Sequence, residues 1–127
     1  MINIREIKFR GKSVHTEEWI CGSLLLANGK AYIYPFDCDN LDDIGFIEVD
    51  SGTVGQYTGF KDKNGKEIYE GDILKIPIGD GGYVVVTFED GMFKAMKYYD
   101  FLRDFEPEVV GNIYENPELL KGEKNGN

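Results

Sequence analysis

Residues 53–74 read TVGQYTGFKDKNGKEIYEGDIL. Asn64-Gly65 and Glu70-Gly71-Asp72 punctuate this run, and short β-rich pieces lie between them. Glycine reaches the positive φ that tight turns demand, and Asn and Asp side chains bond the backbone within a turn. The run therefore reads as strand, turn, strand, turn, strand: Thr53–Phe60, Glu67–Tyr69 and Ile73–Ile78. It contains no histidine, cysteine or serine, so it brings no ready nucleophile or imidazole base.

The same grammar extends in both directions. Upstream, Ile4–Arg10 alternates as a half-buried strand, and Glu18–Ala27 is apolar up to Asn28-Gly29. An Asn-Gly pair between apolar runs is the strongest short signal for a β-hairpin, so Ala31–Phe36 should return antiparallel, with Pro35 at its end. An acidic loop, residues 37–45, precedes a short strand at Phe46–Val49. Downstream, Gly79–Gly82 is a hairpin loop, Tyr83–Phe88 (YVVVTF) one strong strand, Asp90-Gly91 a turn and Met92–Met96 the returning strand. Tyr98, Phe101, Leu102 and Phe105 have the spacing of one helix face, stopped by Pro107. Val109–Tyr114 is a last strand. Asn116-Pro117 then opens a helical turn with Asn as its cap. The tail from Lys121 carries no apolar residue and is expected to be disordered. The fold class is mainly β, of barrel or sandwich type, with one or two short helices and a boundary near residue 50.

The chain has 127 residues, 42% of them hydrophobic, and a net charge of −9. That suffices for one domain with a core. The charge is uneven. Residues 31–60 hold Asp37, Asp39, Asp42, Asp43, Glu48 and Asp50 with no Lys or Arg, whereas residues 1–30 are slightly basic. Such a balance repels a phosphate backbone, so direct nucleic-acid binding is disfavoured; a basic protein partner is the charge-matched alternative. No stretch is apolar enough to span a bilayer or to serve as a secretory signal, so a soluble intracellular protein is expected. Cys21 and Cys38 match no metal-ligand spacing, and two free thiols are expected rather than a disulfide.

Catalytic chemistry finds little to work with. The single histidine, His15, could pair with Ser13 or Cys21, but no nucleophile pattern surrounds it. A zinc site would need more His and Cys than the chain has. The calcium-loop pattern fails because Phe60 falls where a carboxylate is required. Glu67, Glu70 and Asp72 could serve a hydrolase only if they converged in one pocket. No cofactor is expected. The polar residues Gln56, Tyr57, Thr58, Asp62, Asn64 and Tyr69 are the candidates for a binding surface. Asn64, Gly65, Glu70, Gly71 and Asp72 are the turn makers.

The stretch at 53–74, together with VVGNIYENPELL at Val109–Leu120 and an opening REIKFRGK at Arg5–Lys12, resembles the YopX protein family. Trp19 and Gly22-Ser23-Leu24 fit its N-terminal pattern; Phe60 stands where leucine is more usual. The resemblance implies a small protein of bacteriophages and prophages, working in the bacterial cytoplasm. It also implies a single domain over residues 1–120, with an N-terminal β-hairpin lobe (1–50) and a C-terminal part (51–120) resembling an SH3-like barrel. It carries no catalytic residue. The expected function is a non-enzymatic interaction module that engages a protein partner or self-assembles. The alternatives are an acidic mimic of nucleic acid that engages a basic host protein, and a carboxylate-based hydrolase.

Overall fold

The computed structural model describes residues 6–36, 45–75, 82–95 and 107–120. The fold is mainly β, with antiparallel pairing throughout the strand pairs whose register is defined. The chain divides into two compact units, Met1–Tyr57 and Thr58–Asn127.

The first unit holds β1 (Phe9–Lys12), β2 (Trp19–Ala27), β3 (Lys30–Pro35), β4 (Ile47–Val49), a 3-10 turn at Ser51–Thr53 and the start of β5 (Gly55–Lys61). These strands lie in the order β4-β3-β2-β1-β5. The β2–β3 hairpin turns on Asn28 and Gly29, whose φ angles of 55° and 76° are both positive, as a type I′ turn requires. Cross-strand partners share a sheet face, so the register sorts the side chains. Phe9, Ile20, Leu24, Ala31, Ile33, Ile47 and Val49 fall on one face and, with Val54, form the core of this unit. Two glycines permit that packing. A Cβ on Gly11 would meet Val49 at 2.9 Å, and one on Gly22 would lie 1.9 Å from the Tyr34 carbonyl oxygen. The outer edge of β4 is met by the chain just after β1. Ser13 bridges to Val49, Val14 N–H donates to Glu48 C=O at 3.1 Å, and Asp50 N–H donates to Lys12 C=O at 2.8 Å.

In the second unit β5 continues beside β6 (Glu67–Tyr69). β7 (Asp72–Lys75) is the centre of a three-stranded sheet, flanked by β8 (Tyr83–Val85) and β11 (Glu108–Asn112), while β9 (Thr87–Glu89) and β10 (Met92–Lys94) form a separate hairpin. That hairpin turns on Asp90 and Gly91, with φ angles of 54° and 77°. Ile68, Leu74, Val86, Ala95 and Val109 are the buried core of the second unit, with Phe60, Val84 and Phe93 packed against them.

Several expectations need correction. YVVVTF is two strands, not one. Val86 interrupts it: its N–H donates to Asp72 C=O and its C=O accepts from Gly71 N–H, both at 2.9 Å, and its side chain is 1% exposed. Gly71 and Asp72 thus both bond the single residue Val86, a bulge at the end of the β7–β8 pairing, and the chain leaves that ladder there for β9. Asn116 Oδ1 accepts from Asn112 N–H at 3.2 Å, so this side chain ties the turn back to β11, and the helical turn at 118–120 forms beyond it. The described strands do not close into a barrel. Cys21 is disulfide-bonded and no described cysteine is free, against the expectation of free thiols. The chain's other cysteine is Cys38. Cys38 lies outside the described residues, as do most of the acidic loop, the helix expected at Tyr98–Phe105 and the tail.

Candidate functional site

Of the six residues marked for a binding surface, four are interior. Tyr57, Thr58, Asp62 and Tyr69 are each no more than 8% exposed, while Gln56 is half-buried and Asn64 exposed. Their hydrogen bonds explain why polar groups tolerate burial. Thr58 Oγ1 donates to Ile68 C=O at 2.8 Å and accepts from Phe60 N–H at 3.1 Å. Tyr69 hydroxyl donates to Glu67 Oε1 at 3.1 Å. In the first unit, Tyr57 N–H donates to Lys8 C=O at 2.9 Å, and the Lys8 ammonium sits 5.2 Å from the centre of the Tyr57 ring. Lys8 is fully buried and paired with Glu6 at 3.2 Å, consistent with the rule that a buried charge needs a partner.

Asp62 organises the loop between β5 and β6. Its Oδ1 accepts from Asn64 N–H and Lys66 N–H at 2.8 and 2.9 Å, and its Oδ2 accepts from Val109 N–H at 2.9 Å. Burial raises the Asp62 pKa, but those three backbone donors and the Lys66 charge outweigh it and hold the carboxyl below its ordinary value. Gly65, at φ 85°, completes this loop.

The Glu70-Gly71-Asp72 turn is bonded on every side. Asp72 Oδ2 accepts from Tyr69 N–H at 2.7 Å, closing the turn from within. Gly71, at φ 93°, donates to Val86 C=O and accepts from Ile113 N–H at 3.0 Å. A hydrolase would need Asp72 aimed into a shared pocket with Glu67 and Glu70. Asp72 instead bonds its own turn and is 1% exposed, so the carboxylate reading loses one of its three groups. Ser13 Oγ accepts from His15 N–H and Thr16 N–H at 3.1 and 3.2 Å, which makes it the cap of a turn. Among the described residues no group of three or more His, Cys, Asp or Glu could hold a metal ion. No described helix is long and apolar enough to cross a membrane.

A surface feature outside the six marked residues is the outer face of the β2–β3–β4 sheet, built on tyrosines whose strand pattern suits either a half-buried or an exposed aromatic surface. Opposite the core face, Leu25, Tyr32, Tyr34 and Phe46 lie together. Tyr34 and Phe46 meet edge to face, 5.4 Å between ring centres. Leu25, Tyr34 and Phe46 are 42, 46 and 52% exposed. The alternation of β3 could have suggested this, since Tyr32 and Tyr34 fall on the face opposite Ala31 and Ile33. Further along the same face, Trp19 stacks under Arg10 at 4.7 Å and Lys12 at 5.7 Å.

The site residues thus define a small, mainly β protein whose polar motif residues are largely structural and whose outward feature is an aromatic sheet face. The family model of the YopX protein matches residues 8–121, and the chain belongs to the YopX family. Among solved structures it is similar to the crystal structure of protein EF1440 from Enterococcus faecalis. The two share 26% identity at a TM-score of 0.52, over 91% of this chain and 98% of that one. No curated protein matches the chain.

Proposed function

We propose that this YopX-family chain is a non-enzymatic interaction module, encoded by a bacteriophage or prophage and working in the bacterial cytoplasm. The observation that supports it is the exposed aromatic patch of Leu25, Tyr34 and Phe46 on a sheet face turned away from its own core. Scattered apolar residues are ordinary on a protein surface, whereas adjoining ones on one face suit docking. Gln56 and Asn64 stay accessible enough to be additional contact residues. The SH3-like reading of the C-terminal part belongs to this proposal and draws on the Glu70-Gly71-Asp72 turn leading into β7; it is a fold-level analogy.

The test is patch-dependent retention. Immobilised wild-type protein and a Tyr34→Ser/Phe46→Ser variant of matched thermal stability are exposed to lysate of a bacterium carrying the phage. A partner retained by the wild type and lost with the variant is expected. Identical retention profiles, together with identical self-association by sedimentation, would count against the module. The compartment has its own test. The Cys21 disulfide is uncommon in a reducing cytoplasm; for protein alkylated before lysis, migration as the reduced form on a non-reducing gel would support that compartment. Recovery as the oxidised form would place it elsewhere.

A further inference from the structure

We infer that Asn28 is a self-modification site: it loses ammonia through a succinimide formed with Gly29 and emerges as aspartate or isoaspartate, while Asn64 in the other described Asn-Gly pair is protected. This goes beyond the interaction-module reading and does not depend on it. A glycine favours such ring closure, because no Cβ hinders its attacking nitrogen. Both pairs are exposed, and a Cβ at either Gly29 or Gly65 would meet nothing within 4 Å. Steric room therefore does not separate the two sites. Hydrogen bonding does.

At Asn64 the reacting groups are held. Gly65 N–H, on the nitrogen that must attack, donates to Asp62 C=O at 3.0 Å. Asn64 N–H and Lys66 N–H donate to Asp62 Oδ1 at 2.8 and 2.9 Å. The Asp62 carboxylate also disfavours the deprotonated amide that attacks, since like charges repel. At Asn28 the ladder closes at Ala27 and Lys30, and no described acceptor takes the Gly29 N–H. This turn reacts after fraying at a hairpin end, whereas reaction at Asn64 must first break bonds to Asp62.

The chemistry needs only water. Gly29 N bonds to Asn28 Cγ, the Cγ–Nδ2 bond breaks, and Nδ2 leaves as ammonia with the amide proton. Water then opens the ring. Cleavage at Cγ restores the ordinary backbone with a carboxylate side chain. Cleavage at the main-chain carbonyl leaves Gly29 joined through Cγ, as isoaspartate. The first product keeps the turn, since Asp-Gly suits type I′ as well. The second adds a backbone carbon to a two-residue loop. That loop sets the β2–β3 register, which places Leu25 opposite Tyr32 and Ser23 opposite Tyr34.

The test is to incubate the full chain in mildly alkaline buffer and follow both pairs by peptide mapping, with isoaspartate read from backbone fragmentation. Asn28 should react at least about tenfold faster than Asn64, as the loss of one or two hydrogen bonds implies. In urea the two rates should converge. Asn28→Gly keeps a turn-forming Gly-Gly pair; it should yield no product at this loop and leave the Asn64 rate unchanged. Equal rates in the folded chain, a faster Asn64, or a ratio that survives urea would overturn the inference.

Discussion

Gly22→Ala is expected to be among the most damaging single-methyl additions in the chain, costing about 3 kcal/mol or more and lowering Tm by on the order of 10 °C. The new Cβ would lie 1.9 Å from the Tyr34 carbonyl oxygen, 2.8 Å from its carbon and 2.9 Å from the Phe36 nitrogen. All three are backbone atoms, two in the paired strand and one in the residue just after it. A side chain in the way can turn aside, but a strand can yield only by opening its ladder, here the longest in the first unit. Two controls separate this from general glycine loss. Gly29→Ala meets nothing within 4 Å and should cost only about 1 kcal/mol for its positive φ. Gly11→Ala meets the Val49 side chain, which can move, and should fall between the two. Urea denaturation of the three variants gives the order. If Gly22→Ala is no worse than Gly29→Ala, the close approach of β2 to β3 is wrong.

Asp62→Ala should destabilise by about 2–4 kcal/mol, because three backbone N–H groups lose a charged acceptor and the Val109 donor is buried. Asp62→Asn should cost somewhat less. The amide oxygen can still accept, but its NH2 must then face a donor. The pH dependence has a definite sign. The folded-state pKa is lowered from 3.8, so the unfolded chain takes up the proton first as pH falls. Asp62 therefore contributes its full stabilisation above about pH 4 and loses it as pH falls through its folded value. The stability gap between wild type and Asp62→Asn should narrow between pH 7 and about pH 3. A gap of constant size would mean that the charge of Asp62 plays no part.

These two sites mark how far the sequence could be read. Asn28-Gly29 and Asp90-Gly91 announced their hairpins because a positive φ at adjacent residues is a local demand, written in the residues that meet it. Glu67–Tyr69 between two glycine turns was legible for the same reason. The interruption at Val86 was not, because its cause lies in Gly71 and Asp72, remote in sequence. Nor was the burial of Tyr57, Thr58, Asp62 and Tyr69. Polar side chains look like surface until their partners are known, and the Asp62 partner Val109 is 47 residues away. The aromatic patch was half legible: Tyr32 and Tyr34 were visible as tyrosines, but their contact with Phe46 depended on how β4 returned beside β3. Trp19 was legible only as an apolar residue at the start of a strand. It is half-buried on the face opposite the core, held there by two cations.

The junction at Gly71 also bears on how the protein is made. Its carbonyl waits for Ile113 and its N–H for Val86, and β7 pairs with β11 near the chain's end. Contacts so far apart in sequence form slowly. On the ribosome the second unit cannot complete its central sheet until residue 113 has emerged. Until then Ile73 and Leu74 have no strand partner on the β11 edge of β7. The emerging chain is thus a client for trigger-type chaperones at this late stage, and a chain ending before Glu108 should be cleared by proteases while the first unit's own core remains complete.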